Sequence, residues 1–89
     1  MFCVYIIQHT NTKEKYIGYT KNLQKRLDEH NNKSTPSTKR KSGKWIVIYA
    51  EAYRSETDAQ EREKKLKQHG SSKHELFKRI QQSFLKDGS

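Results

Sequence analysis

Cysteine, proline and long apolar runs are almost missing from this chain of 89 residues, in which Cys3 is the only cysteine and Pro36 the only proline. A single thiol closes no intrachain disulfide and builds no cysteine-based zinc site. No apolar stretch approaches the ~18–20 residues that cross a bilayer. Met1-Phe2-Cys3-Val4 also lacks the basic start and apolar run of a signal peptide. The expectation is a cytoplasmic protein with no membrane partner. Leu, Ile, Val and Phe together supply only 16 of the 89 residues, a share that warns of disorder when net charge is high. Their order argues the other way, because they cluster into periodic segments separated by caps.

Acidic residues are scarce too. Ten Asp and Glu stand against nineteen Lys and Arg, a net charge of +9, which favours a polyanionic partner. The plain alternative is a basic, soluble protein with no nucleic-acid role. Eighty-nine residues make one small domain that buries about 60–65% of its unfolded surface. No internal repeat is present. Residues 1–85 read as that domain and 86–89 as a tail.

Phe2 to Gln8 is short, apolar and rich in β-formers, as in a strand buried on both faces. A polar turn follows, and Lys15-Tyr16-Ile17-Gly18-Tyr19 predicts a second strand, completing a hairpin. Asn22 to Asn31 predicts a helix with Leu23 and Leu27 on its inner side. Lys33 to Lys44 holds five basic residues and no acid among Ser, Thr, Pro and Gly, and reads as a loop. Trp45-Ile46-Val47-Ile48-Tyr49 predicts a third strand. Ser55-x-x-Asp58 resembles a capping box and opens a second helix. Gly70 is a candidate stop, and Ser72-x-x-Glu75 a cap for a third helix whose stripe is Leu76, Phe77, Ile80 and Phe84. The order ββαβαα predicts an α+β fold with a small, three-stranded, largely antiparallel sheet flanked by helices.

Several polar residues fall where the pattern calls for apolar ones. Ala59 and Leu66 lie seven apart and define the inner stripe of the second helix, and Glu63 is on that stripe. An inward carboxylate costs several kcal/mol unless it is compensated; a divalent cation bridging to a nucleic-acid phosphate is one compensation. Arg26 and His30 share a stripe with Leu23 and Leu27. A guanidinium and an imidazole one turn apart suit a phosphate, although Arg26 can equally pair with Glu29 and His30 can end the helix. Tyr5 and Tyr16 sit on the hairpin arms, where packing is the common role of tyrosine. Gly18 in a strand marks a close approach or a simple bulge. Trp45 and Tyr49 read as core, and His9, His69 and His74 as surface residues without metal-ligand spacing.

Taken together these residues resemble the GIY-YIG nuclease family, in its small stand-alone, single-domain form. Cys3-Val4-Tyr5 stands in place of the first motif, of which only the tyrosine is carried over. Tyr16-Ile17-Gly18 matches the second. Arg26 follows Tyr16 by ten residues and His30 follows Arg26 by four, as in the family's helix motif. Ala59-x-x-x-Glu63-Lys64-x-Leu66-Lys67 looks like the metal-binding helix. The Ser37-Thr38-Lys39 loop, Trp45 and Ile48-Tyr49-x-Glu51 look like the stand-alone members. A late asparagine used by some members has no counterpart, Asn32 being the last.

The resemblance implies a metal-dependent endonuclease acting on DNA phosphodiesters, directed by DNA structure in repair or recombination, with RNA also open as substrate. Tyr5, Tyr16, Arg26, His30 and Glu63 would be catalytic. Glu63 would hold Mg²⁺ or Mn²⁺, and Tyr5 would be the general base, its pKa depressed by Arg26, Lys15 or the metal. Lys15, Gly18, Lys39, Arg40 and Lys41 would touch nucleic acid, and a protein partner could supply specificity. The rival readings are a non-catalytic nucleic-acid-binding module on the same scaffold and a protein-interaction domain.

Overall fold

The computed structural model describes residues 1–32, 43–68 and 70–86. Its elements are β1 (Phe2–His9), β2 (Lys15–Thr20), α1 (Leu23–Asn32), β3 (Trp45–Tyr53), α2 (Glu56–Gln68) and α3 (Gly70–Arg79), followed by a 3₁₀ turn at Gln81–Ser83. This is the α+β, ββαβαα arrangement the periodicities predict. Strand order is β2-β1-β3, and both pairings are antiparallel. No helix among the described residues is long and apolar enough to cross a membrane.

The most apolar strand takes the centre because only there are both faces covered. Val4 through His9 are all buried. Successive side chains of β1 point to opposite faces, so Val4 and Ile6 meet Ile17, Ala59, Leu66 and Leu76 in the core under α2 and α3. Tyr5 and Ile7 face α1. On β3, Ile6 is opposite Tyr49 while Ile7 is opposite Val47, leaving Ile48 as the extra residue of a bulge. The bulge re-phases the strand. Tyr49, Glu51 and Tyr53 share the α2 face, and Trp45 turns to the α1 face.

Caps start the helices where the sequence places them. Asn22 Oδ1 accepts from the Lys25 N–H at 3.1 Å, and Ser55 Oγ from the Asp58 N–H at 3.2 Å. The α2–α3 junction differs from expectation. Gly70 does not stop a helix but begins α3, so Ser72 lies inside the first turn rather than capping it. Helix α2 is described to Gln68 and α3 from Gly70, so the glycine serves the second helix as its start.

His9 also corrects the sequence reading, since it is buried and not a surface residue. Its Nδ1 accepts the N–H groups of Asn11 and Thr12, each at 3.2 Å, closing the β1–β2 turn, and its ring stands edge-on to Trp45 at 5.3 Å. Gln8 is buried as well. Its amide accepts from the Leu85 N–H at 2.8 Å and donates to the Lys13 carbonyl at 3.1 Å, tying the C-terminal segment to the central strand. Leu76, Phe77 and Ile80 do cover the sheet, and Phe84 packs edge-on to Phe77.

Candidate active site

The site forms around the free edge of β2, where two neighbouring strands and two helices bring polar groups together. Tyr5 is opposite Gly18 in the β1–β2 register. A Cβ built on Gly18 would lie 2.5 Å from Tyr5 Cζ and 2.9 Å from Cε1. The glycine is therefore a close approach and not a bulge: its missing side chain lets the phenol lie flat across β2 toward the edge. Tyr5 is 1% exposed, and its hydroxyl meets His30 Nε2 at 3.2 Å.

Helix α1 supplies His30 and Arg26 from one face, as their spacing of four requires. The end of the helix is fixed by Asn31, whose side-chain amide grips both polar groups of Trp45: it donates to the carbonyl at 3.1 Å and accepts from the N–H at 2.7 Å. Tyr16, on the same sheet face as Tyr5, packs its ring 5.1 Å from His30 and 6.5 Å from Tyr5. Tyr16, Arg26, Glu29, His30 and Asn32 line an open groove of about 460 Å³. Arg26 pairs with Glu29 at 3.4 Å, both half-exposed. This surface pair contributes at most ~1 kcal/mol, so it does not prevent the guanidinium from turning to a stronger anion.

From the other side of the sheet, α2 reaches round the β2 edge. Lys67 Nζ lies 5.3 Å from the centre of the Tyr16 ring and 3.4 Å from Glu63 Oε2. The Glu63 side chain is 23% exposed, at the rim of the stripe whose interior members, Ala59 and Leu66, are fully buried. It is close enough to oppose ionisation of the Tyr5 phenol. Tyr5, Tyr16, Arg26 and His30 are thus brought together on the α1 face, and Glu63 stands across the β2 edge from them, linked to Tyr16 through Lys67.

The chain's own charges do not pull the Tyr5 phenol down toward neutrality. Burial raises it above the ordinary 10.0, and this outweighs the opposing pull of the Arg26 guanidinium. Arg26 in turn is raised, first by its interaction with Tyr5. Lys15 offers no help to the phenol, since its ammonium lies over Phe84, 4.4 Å from the ring centre. Lys39, Arg40 and Lys41 lie outside the described residues.

The family model of the GIY-YIG catalytic domain matches residues 1–82. The chain belongs to the GIY-YIG family. No curated protein and no solved structure matches it. As a GIY-YIG protein it carries a nuclease domain, which implies hydrolysis of nucleic-acid phosphodiesters with DNA as substrate. GIY-YIG nucleases generally depend on a divalent metal, and the donor set can be tested for such an ion. No cluster of three or more His, Cys, Asp or Glu capable of holding a metal occurs among the described residues. One half-buried carboxylate beside an open groove fits a hard cation that keeps most of its water, and does not fit a zinc cage.

Sequence reasoning missed Asn31 and the surroundings of Glu51. Arg62 donates to Glu51 from Nε and Nη2 at 3.0 Å, Tyr49 donates at 2.6 Å, and Tyr53 also donates to it. Two tyrosines flanking a glutamate at i±2 on a strand were the available signal. This cluster fixes α2, and so the placement of the adjacent Glu63, against β3.

Proposed function

We propose that this chain is a divalent-metal-dependent DNA endonuclease of the cytoplasm, directed by DNA structure rather than sequence and serving repair or recombination. The observation that carries the reading is the convergence of Tyr5, Tyr16, Arg26 and His30, from two strands and a helix, with Glu63 across the β2 edge from them. Residues 1–85 would act as one domain, with Lys39, Arg40 and Lys41 adding phosphate contacts, and a protein partner could add specificity.

Each residue takes a role that its surroundings allow. Glu63 would hold Mg²⁺ or Mn²⁺, which supplies Lewis-acid stabilisation of charge on the phosphate. Arg26 would leave Glu29 and clamp the scissile phosphate with two N–H groups, a charge-assisted contact that strengthens as bound DNA covers the groove. A phenol raised above 10.0 is un-ionised near neutral pH and makes a poor base on its own. Its hydroxyl lies 3.2 Å from His30 Nε2. Tyr5 can therefore pass its proton to the imidazole as it takes one from the attacking water, so that His30 is the final acceptor. Tyr16 would orient the water or hold a phosphate oxygen.

The test is to incubate the purified chain with labelled single-stranded, duplex, nicked and branched DNA in Mg²⁺ or Mn²⁺. Cleavage that depends on the ion and is strongest on nicked or branched DNA is expected. Tyr5→Phe should bind the same DNA with little loss and cut it at least ~100-fold more slowly; a parental rate would move the proton-transfer role elsewhere. Binding without cleavage under every condition would replace the nuclease with a non-catalytic nucleic-acid-binding module.

A further inference from the structure

Beside the catalytic groove, and sharing Tyr16 with it, is a second and smaller groove of about 200 Å³. Lys15, Lys67 and Lys73 line it together with Phe77, and no carboxylate does. The lysines come from β2, α2 and α3, three different elements. All three are held over aromatic rings: Lys15 lies 4.4 Å from the Phe84 centre and 5.9 Å from that of Phe77, Lys73 lies 5.5 Å from Phe77, and Lys67 lies 5.3 Å from Tyr16. Neither Lys15 nor Lys73 has a carboxylate partner among the described residues. Ammonium groups placed by rings rather than neutralised by acids are already positioned for an anion and lose little freedom on binding it.

The other side of Glu63 is different. There a groove of about 460 Å³ is lined by Tyr19, Glu61, Glu63 and Lys64 among others, with acids facing the space. Of these two grooves flanking the site, the one at Lys15, Lys67 and Lys73 presents no carboxylate, whereas the one at Glu63 presents two.

We propose that the Lys15–Lys67–Lys73 groove binds the backbone phosphates next to the scissile one, on one side of it, and so sets the direction in which the cut strand crosses the protein. This rests on the nuclease reading, and deepens it by assigning the strand's path. Tyr16 divides the two subsites. Lys67 serves both, because it pairs with Glu63 and lies over Tyr16.

The test measures DNA binding by the full chain without divalent ion, as a function of salt, so that cleavage does not enter. Lys67 is left intact because of its tie to Glu63. Lys15→Gln with Lys73→Gln should weaken binding roughly tenfold at 0.1 M salt and make the log–log salt slope shallower by about 2, for two lost phosphate contacts. Lys15→Arg with Lys73→Arg should keep the parental slope, which excludes misfolding at these positions. Arg54→Gln with Lys65→Gln, which removes the same charge outside either groove, should change the slope by less than half as much. A parent that cuts DNA with Mg²⁺ while both charge-removing pairs bind equally well, or lose affinity equally, keeps the nuclease and overturns the groove. A parent that binds no DNA overturns both.

Discussion

Glu51 and Glu63 are both half-buried glutamates that meet α2, one from β3 and the other from the helix itself, with side chains 15% and 23% exposed. Glu51 is saturated: Arg62 donates twice, and Tyr49 and Tyr53 once each. Burial alone would raise its pKa, but these donors hold it below the ordinary carboxylate value. Glu63, beside Arg62 in sequence, has one ion-pair partner among the described residues, a Lys67 that is 44% exposed, at 3.4 Å. The same residue type on adjoining sites therefore does different work. A carboxylate whose lone pairs are all taken is a structural tie, and one left with a single loose counter-ion can accept a cation.

Substitution should separate the two roles. Glu63→Gln should have the largest effect, lowering metal-dependent cleavage by ~10³-fold or more while shifting stability by no more than ~0.5 kcal/mol, because it breaks only a surface-type pair. Cleavage assays beside urea unfolding would check both halves. Glu51→Gln should do the reverse. Removing one partner of a partly buried pair leaves Arg62 and two hydroxyls underserved, so unfolding free energy should fall by about 3 kcal/mol, with the rate per folded molecule nearly unchanged.

Gly18→Ala sharpens the contrast from the catalytic side. The new Cβ meets the Tyr5 ring at 2.5 Å, so the phenol must move. A stability loss of ~1–3 kcal/mol and a drop in cleavage of ~10–100-fold are expected. In a Tyr5→Ala background, where the clashing ring is gone, Gly18→Ala should cost little further stability while the activity stays lost; a double variant that recovers cleavage would contradict the placement of Tyr5.

The pH dependence of stability is a smaller effect and belongs to the saturated cluster. Glu51 has a lowered folded-state pKa, so its contribution is fully present above the unfolded value near 4.5 and is lost as pH falls through the folded value. Tyr49 is pushed up from 10.0 to about 12, by burial first and by its bond to Glu51 next. Its contribution is present below pH 10 and is lost as pH rises from 10 toward 12. Thermal midpoints of the parent should fall at both extremes, and Tyr49→Phe should blunt the alkaline decline.

The strands and helices were legible in the chain because each leaves a local period, such as the apolar run of β1 and the seven-residue interval from Ala59 to Leu66, and so was the shared helix face of Arg26 and His30, four residues apart. What stayed hidden depends on long-range bonds. Gln8 and Leu85 are 77 positions apart, and Asn31 and Trp45 are 14 apart. Such side-chain-to-backbone ties carry no periodic trace. His9 was misread because a polar residue at a strand end looks exposed until its acceptor nitrogen is seen closing the turn. The rise that burial gives the Tyr5 pKa was hidden because the sequence shows the neighbouring arginine and not the depth of burial.

The most direct single measurement is the Mg²⁺-dependent rate of DNA cleavage by the parent, Glu63→Gln and Glu51→Gln proteins, each corrected for the fraction folded. The account predicts that Glu51→Gln retains the parental rate per folded molecule and that Glu63→Gln has none above background. Equal loss in both, or a rate retained by Glu63→Gln, would contradict the claim that the underserved carboxylate is the one that holds the ion.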